Sequence, residues 1–244
     1  MSLQDNHKDP VGNHAAISVQ NLCVAFGENL VVDHVSFAVP KGAVSAVIGP
    51  NGSGKTTLVR ALIGLQSFAH GSVTLFGQPL GAHTATIGYV PQYFAFDRSL
   101  PMTCEEFLQW ISGAAASEIA AIWKRIGLSD QVRAKLIGSL SGGQMQRLLI
   151  GQALLQKPDL LILDEPDANI DVAGERQLEE ILKEYTRQGG SVVLISHDVS
   201  FVARAVEHVI CLNKQLVCTG SPHDALTEKT LKSLFQNASL YHHH

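Results

Sequence analysis

The chain has 244 residues, 18 basic and 22 acidic, for a formal net charge of −4, and 45% of it is hydrophobic. A chain of this size buries a full core, and the composition excludes the disordered and fibrous classes. The negative balance argues against binding nucleic acid through bulk electrostatics, so no nucleic-acid partner is expected. No apolar run approaches the roughly 18–20 residues needed to cross a bilayer. The longest, Phe107 to Trp123, is interrupted by Gln109, Ser112, Ser117 and Glu118. The N-terminus lacks a cationic stretch followed by an apolar core, so no secretory signal is read and a soluble, cytosolic chain is expected. Cys23, Cys104, Cys211 and Cys218 stand singly, with no C-x-x-C pair. In that compartment the expectation is reduced, partly buried thiols.

Residues 1–16 are polar and carry Pro10 and Gly12, which predicts a loose N-terminal tail. Beyond it, short apolar, β-branched runs alternate with helix-period segments, the pattern of an α/β fold with a largely parallel sheet covered by helices. Strands are predicted at Ile17–Phe26, Val31–Val39, Ala43–Ile48 and Ser72–Phe76, and a helix over Lys55–Leu65. Leu160–Leu163, Ser191–Ile195, Val209–Leu212 and Gln215–Cys218 read as further strands. Helices are predicted near Ala173–Gln188, stopped by Gly189-Gly190, then near Val199–Val206 and over His223–Phe235. The stretch of about 94–156 lacks strand signals and carries helical patterns such as EEFLQWI and IAAIWKRI, so it reads as a helical subdomain inserted into the α/β core. The whole of 17–236 is expected to be a single domain. Residues 237–244 form a C-terminal tail whose His242 to His244 read as the remnant of a purification tag.

Three motifs carry chemistry. GPNGSGKT, comprising Gly49, Pro50, Asn51, Gly52, Ser53, Gly54, Lys55 and Thr56, follows a strand and opens a helix, as a phosphate-binding P-loop requires. Its glycines let successive backbone N–H groups and the helix N-terminus face an anion. Lys55 adds a cation for the β- and γ-phosphates, and the Thr56 hydroxyl can ligate Mg²⁺; Thr57 follows in the same turn. LLILDEP, Leu160 to Pro166, is an apolar strand ending in two acids. Asp164 is placed to hold Mg²⁺ and Glu165 to polarise a water for in-line attack on the γ-phosphate. In LSGGQMQR, Leu140 to Arg147, Ser141 and Gln144 have capping-box spacing, so a helix should begin there with its positive end exposed. Gly142 and Gly143 permit close approach to an anion.

This ordered set resembles the ABC transporter ATPases, and the resemblance covers about Ile17 to Leu226. It implies a P-loop NTPase core of ABC type with a mixed sheet, and ATP and Mg²⁺ as cofactors. By the same resemblance, Phe26 stacks on adenine, where a tyrosine is more usual. Gln92 in GYVPQ meets Mg²⁺ and the attacking water. Asp171 in DANID belongs to a loop that crosses to a partner subunit, and His197 in ISHD touches the γ-phosphate. Asp167 departs from the small, hydroxyl or aromatic residue usual after DEP, and Asn169 replaces a common Gly or Ala. This puts the geometry of the crossing loop in doubt, not the chemistry.

The family further implies a head-to-tail homodimer, in which the phosphate loop of one copy and Ser141 to Gly143 of the other enclose each ATP. With one cassette and no membrane span, transport needs separate permease subunits and, in the full system, a periplasmic or extracellular substrate-binding protein. The chain would then be cytoplasmic, peripheral on the inner face of the cell membrane. Tyr93, Phe94, Phe96, Leu100, Pro101 and Met102 either receive a helix of the membrane partner or form the small subdomain's core. GYVPQYFAFDRSLPMTCEEFL and ISHDVSFVARAVEHVICLNKQLVCTGSP resemble the ATPases of zinc, manganese or iron importers, so the expected function is the motor of a divalent-metal importer, zinc or manganese. The alternatives are a soluble ABC ATPase of iron–sulfur cluster assembly and the motor of a lipid or drug exporter.

Overall fold

The computed structural model describes residues 15–92, 99–168 and 170–236. Two sheets organise them. Strands β1 (Ala15–Phe26) and β2 (Asn29–Pro40) form a long antiparallel hairpin, extended by β4 (His70–Leu75) and β5 (Gln78–Pro79) in the order β2-β1-β4-β5. The second sheet runs β10-β9-β3-β8-β7-β6, built from β3 (Val44–Ile48), β6 (Ile87–Val90), β7 (Leu160–Asp164), β8 (Ser191–Ile195), β9 (His208–Asn213) and β10 (Gln215–Gly220). Its strands are parallel except β10, which closes one edge antiparallel to β9. The α/β class with a mixed sheet is therefore the observed fold.

Strands β3, β7 and β8 are buried at every position, which is why they read as unbroken apolar runs and not as alternating ones. Period-two side chains nevertheless sort the residues onto two cores. Val44, Ala46, Leu161, Leu163, Val192 and Leu194 face a core shared with most of the helices. Val47, Leu160, Ile162, Val193 and Ile195 face a second core, closed by the β1–β2–β4 sheet and α1 (Lys55–Leu62). The parallel sheet is the middle layer of the molecule.

Helices α2 (Cys104–Ser112), α3 (Ala116–Arg125), α4 (Asp130–Arg133) and α5 (Gly142–Leu155) occupy the stretch without strand signals. Thr103 starts α2 with a capping box, its Oγ1 accepting from Glu106 N–H at 3.3 Å while Glu106 Oε2 accepts from Thr103 N–H at 2.8 Å. Trp123 of α3 is 1% exposed and anchors this layer. Its indole Nε1–H donates to Ser129 O at 3.4 Å, and the Arg133 guanidinium lies 5.5 Å from its ring centroid. The remaining helices are α6 (Val172–Arg187), α7 (Val199–Ala205), α8 (Pro222–Ala225) and α9 (Glu228–Gln236).

Four expectations change. The N-terminal tail is shorter than predicted, because β1 already pairs from Ala15 and Ala16 is fully buried. Strand β6 was not legible: it is four residues long and interrupted by Gly88. The single helix over His223–Phe235 is two, because Ser221 caps α8 while the Thr227 hydroxyl, accepting from Thr230 N–H at 3.2 Å, starts a new helix. Finally, Cys211 and Cys218 are not separate thiols but a disulfide, with Cα atoms 4.9 Å apart. The β9–β10 register sets them directly opposite each other. A hairpin pairs residues by register, so a search for C-x-x-C spacing cannot see this pair. Cys23 and Cys104 are free and buried.

Trp123→Ala should cost about 3–5 kcal/mol, the range for emptying a large buried aromatic site, read as a lowered urea midpoint. A change below about 1 kcal/mol would mean that the helical layer is not anchored there.

Candidate active site

The parallel sheet dictates the site. Strands β3, β8, β7 and β6 lie side by side and end on the same edge, so the residues after each strand meet in one row. After β3 comes the Gly49–Gly54 loop, after β8 His197, at the end of β7 Asp164 and Glu165, and after β6 Gln92. Sequence positions more than a hundred residues apart thereby become neighbours.

The phosphate loop turns into α1 through Gly54, whose φ of 96° is left-handed and suits glycine. Gly49 admits no side chain either: a Cβ there would lie 2.0 Å from Leu212 O. Lys55, 6% exposed, has its Nζ held by Gly49 O at 2.9 Å and Pro50 O at 3.0 Å. Burial pushes its pKa below the ordinary lysine value, while Glu165 and Asp164 pull it back up. Asp164, 2% exposed, accepts from the Thr56 hydroxyl at 3.5 Å on one oxygen and from the Tyr89 hydroxyl at 3.5 Å on the other. Burial, then the neighbouring Glu165 charge, raise its pKa above the usual carboxylate range; Arg60 opposes them.

Glu165 occupies a left-handed backbone conformation, φ 52°. Its carboxylate accepts from Gln92 Nε2 at 2.5 Å and lies 3.8 Å from His197 Nδ1. One carboxylate is thus clasped by the residues that follow two other strands. Asp167, the unusual acid, is also accommodated: its Oδ2 accepts from the Ser196 hydroxyl at 2.6 Å. That bond ties the turn after β7 to the residue preceding His197. Sequence reasoning did not single out Tyr89, Arg60 or Ser196; Tyr89 lies in the GYVPQ stretch, but nothing in its spacing shows that it reaches Asp164.

The remaining expected residues lie elsewhere. Phe26 ends β1 with half its surface exposed. Ser141 caps α5 as the spacing predicts, its Oγ accepting from Gln144 N–H at 3.3 Å and Gln144 Oε1 accepting from Ser141 N–H at 3.2 Å. The space beside Gly142 is open, whereas a Cβ on Gly143 would meet Ile170. Among the described residues no hydrogen bond joins Ser141 to Gln144 with the phosphate loop of the same chain. Asp171 is the N-cap of α6, accepting from Gly174 N–H at 2.8 Å. Leu100 is exposed and Met102 packs against the helical core. Tyr93, Phe94, Phe96 and Asn169 lie outside the described residues.

A family model described as ABC transporter matches residues 32–168, more than half of the chain. The chain belongs to the ABC transporter family. Among curated relatives of this ABC ATPase is a zinc import ATP-binding protein ZnuC of Alcanivorax borkumensis, 39% identical over 238 residues, covering 93% of this chain and 88% of that protein. Another is a probable metal transport system ATP-binding protein of Chlamydia muridarum, 38% identical over 230 residues, covering 90% and 88%. A solved ATP-binding cassette, MJ1267 in its ADP conformation, shares the fold with a TM-score of 0.79 at 24% identity, covering 91% of this chain and 98% of the other. ATP binding and hydrolysis follow from the family, and as an ABC transporter subunit the chain works with a membrane permease. Among the described residues no helix is long and apolar enough to cross a membrane.

Burial holds the Asp167 carboxyl above the ordinary carboxylate range. The folded protein then binds that proton more tightly than the unfolded chain, so the ionised acid costs stability at neutral pH. Asp167→Asn is expected to raise Tm at about pH 7.5, with the gain shrinking as acidification protonates the native acid. A gain that does not vary with pH would show that charge burial is not the cause.

Proposed function

We propose that this ABC ATPase is the motor of a membrane importer for a divalent metal ion, zinc or manganese, and that it works as a head-to-tail homodimer with ATP at the interface. The observation that carries the mechanism is the division of the anion-binding elements. The phosphate loop stands at one sheet edge, while among the described residues the capped N-terminus of α5 makes no hydrogen bond to it. A second copy supplies the missing half. The metal cargo rests on the names of the relatives, since nothing in a motor subunit need touch the cargo.

In the closed dimer, Gly49 to Gly54 and the first turn of α1, with Thr57, would cradle the phosphates through backbone N–H groups. Lys55 and the partner copy's α5 N-terminus would stabilise the charge that develops on the γ-phosphate. Phe26 would stack on adenine with its exposed ring. Thr56 Oγ1 and Asp164 Oδ1, 3.5 Å apart, are hard oxygen donors close to the roughly 3 Å spacing of adjacent Mg²⁺ ligands. These residues fit Mg²⁺, with Gln92 alongside; the ion supplies charge neutralisation between β- and γ-phosphates when bound. Glu165 would accept a hydrogen bond from the attacking water and orient it in line. Gln92 and His197, which flank Glu165 in the structure, would set its direction. Asp171, as the cap of α6, would hold the loop that faces the partner copy.

The partners in this reading are the permease, on the inner face of the cell membrane, and a substrate-binding protein on its far side. The exposed apolar side chains of Trp110 and Ile111 on α2, with Leu100 ahead of that helix, would offer a membrane subunit apolar contacts.

Glu165→Gln should keep ATP binding, lower turnover by about 10²-fold or more, and accumulate an ATP-dependent dimer by light scattering. A monomer at high concentration with Mg-ATP would overturn the shared-site mechanism. Lys55→Ala should lose productive nucleotide binding, as read by a fluorescent ATP analogue. To test the transport reading, tagged Glu165→Gln is recovered with Mg-ATP from detergent-solubilised source cells. A multi-span permease that supports ATP-dependent zinc or manganese uptake in proteoliposomes is expected. Capture of soluble iron–sulfur assembly proteins alone, or uptake that ignores both metals, would overturn it.

A further inference from the structure

The β1–β2 hairpin is irregular at one point. Leu22 pairs with Val35 and Val24 with Val32, so Asp33 and His34 of β2 together oppose Cys23 alone. This two-against-one arrangement is a β-bulge, a device that re-aims side chains. His34 sustains it at φ 50°, a left-handed conformation uncommon outside glycine but more accessible to histidine than to most residues.

The bulge gathers three kinds of ligand atom. The His34 backbone N–H donates to Cys23 Sγ at 3.3 Å, and His34 Nδ1 lies 2.6 Å from Asp33 Oδ1. One sulfur, one carboxylate oxygen and one imidazole nitrogen all fall within 4.8 Å of one another. The sulfur is buried, with Cys23 only 2% exposed, while the His34 side chain is 61% exposed, so the cluster opens to water on one side.

We infer that this bulge is a binding site for a soft divalent cation of the zinc class, ligated by the Cys23 thiolate, the His34 imidazole and the Asp33 carboxylate. The site is separate from the hard-oxygen donors proposed for Mg²⁺, and its mixed sulfur–nitrogen–oxygen set favours zinc over magnesium or calcium. Ligand atoms on a tetrahedral zinc stand roughly 3–4 Å apart. The set, whose atoms lie within 4.8 Å of one another, therefore closes by at most about 1 Å while the 2.6 Å His34 Nδ1–Asp33 Oδ1 pair opens slightly. The exposed imidazole can supply both by changing rotamer. Binding releases the thiol proton to solvent, moves the proton shared by His34 and Asp33 to the imidazole nitrogen that faces away from the metal, and leaves the fourth position to water.

The outer shell is in place. Asp33 Oδ2 accepts from Gln215 Nε2 at 2.6 Å, which orients the carboxylate and leaves lone pairs for a metal. The His34 N–H on sulfur gives the thiolate a fixed donor. Hydrogen bonds also link the site to the phosphate loop. Asp33 N–H donates to Lys214 O at 2.8 Å, and Lys214 N–H donates to Ser53 O at 3.0 Å. A cation at the bulge would sit one residue's hydrogen bonds away from the loop. Such a site would not depend on which cargo the transporter carries.

The test is a Co²⁺ titration of the full-length chain in which His242, His243 and His244 are replaced by alanine, without added thiol. Expected is a near-ultraviolet thiolate-to-cobalt charge-transfer band saturating at about one equivalent and bleached by an equivalent of Zn²⁺. Cys23→Ser should abolish the band, while Cys104→Ser, which changes the other free thiol, should keep it. His34→Asn, which tolerates the left-handed backbone, should weaken Co²⁺ binding at least tenfold and leave the circular dichroism spectrum unchanged. No band in the parent chain, a band that survives Cys23→Ser, or unchanged affinity in His34→Asn would each overturn the site. The His34 variant keeps the test decisive if Cys23→Ser fails to fold.

Discussion

A lysine and an aspartate share water-poor surroundings at the ends of buried strands, and the rest of the molecule serves to keep them there. Lys55 is 6% exposed and Asp164 2% exposed. An isolated charge in such a place would be costly, so each depends on partners. Carbonyls of the phosphate loop hold the ammonium, and the hydroxyls of Thr56 and Tyr89 satisfy the carboxylate. Both groups respond to burial in the expected sense, each pushed toward its neutral form. In the proposed reading, a multiply charged phosphate beside Lys55 and a cation beside Asp164 would relieve that tension on both sides at once. The site is strongly polar inside an apolar sheet because it is preorganised for charge that arrives with the substrate.

Layering makes this arrangement possible. The fully buried strands carry one core on each face, so their ends are fixed in register with little freedom to shift. Gln92, Glu165 and His197 are therefore positioned by the sheet, and only short loops separate them from it. The half-site proposed for the partner's nucleotide depends on α5, whose Ser141 cap belongs to the helical layer anchored by Trp123. In the proposed dimer, mounting the two anion-binding elements on different layers would let the half-site at α5 meet the partner copy without disturbing the buried charges.

Much of this was legible from residue order because its causes are local. Glycine spacing, a lysine and a hydroxyl at fixed offsets define the phosphate loop; Ser141 and Gln144 sit three apart because a helix cap needs that offset. Strands β3, β7 and β8 announced themselves as apolar runs because both of their faces are covered. What escaped depends on register. Cys211 meets Cys218, two residues of β2 oppose Cys23, and Ser196 reaches Asp167, all through pairings between separate segments. Tyr89 went unnoticed for the same reason, since β6 is short and its neighbour β7 lies seventy residues further along the chain. The division of the helix expected over His223–Phe235 turned on one hydroxyl cap, a feature that composition does not distinguish from an ordinary helical threonine.

Glu165 sits in a left-handed backbone conformation that favours glycine or asparagine, and so the protein keeps a locally unfavourable residue where it holds its proposed water-orienting carboxylate. Glycine would fit that backbone with less strain, though it would give the unfolded chain more freedom and leave Gln92 without its acceptor. Under the proposed mechanism, a chain selected for heat resistance with no demand for turnover would be free to lose that carboxylate, and its sturdiness would then say nothing about its activity.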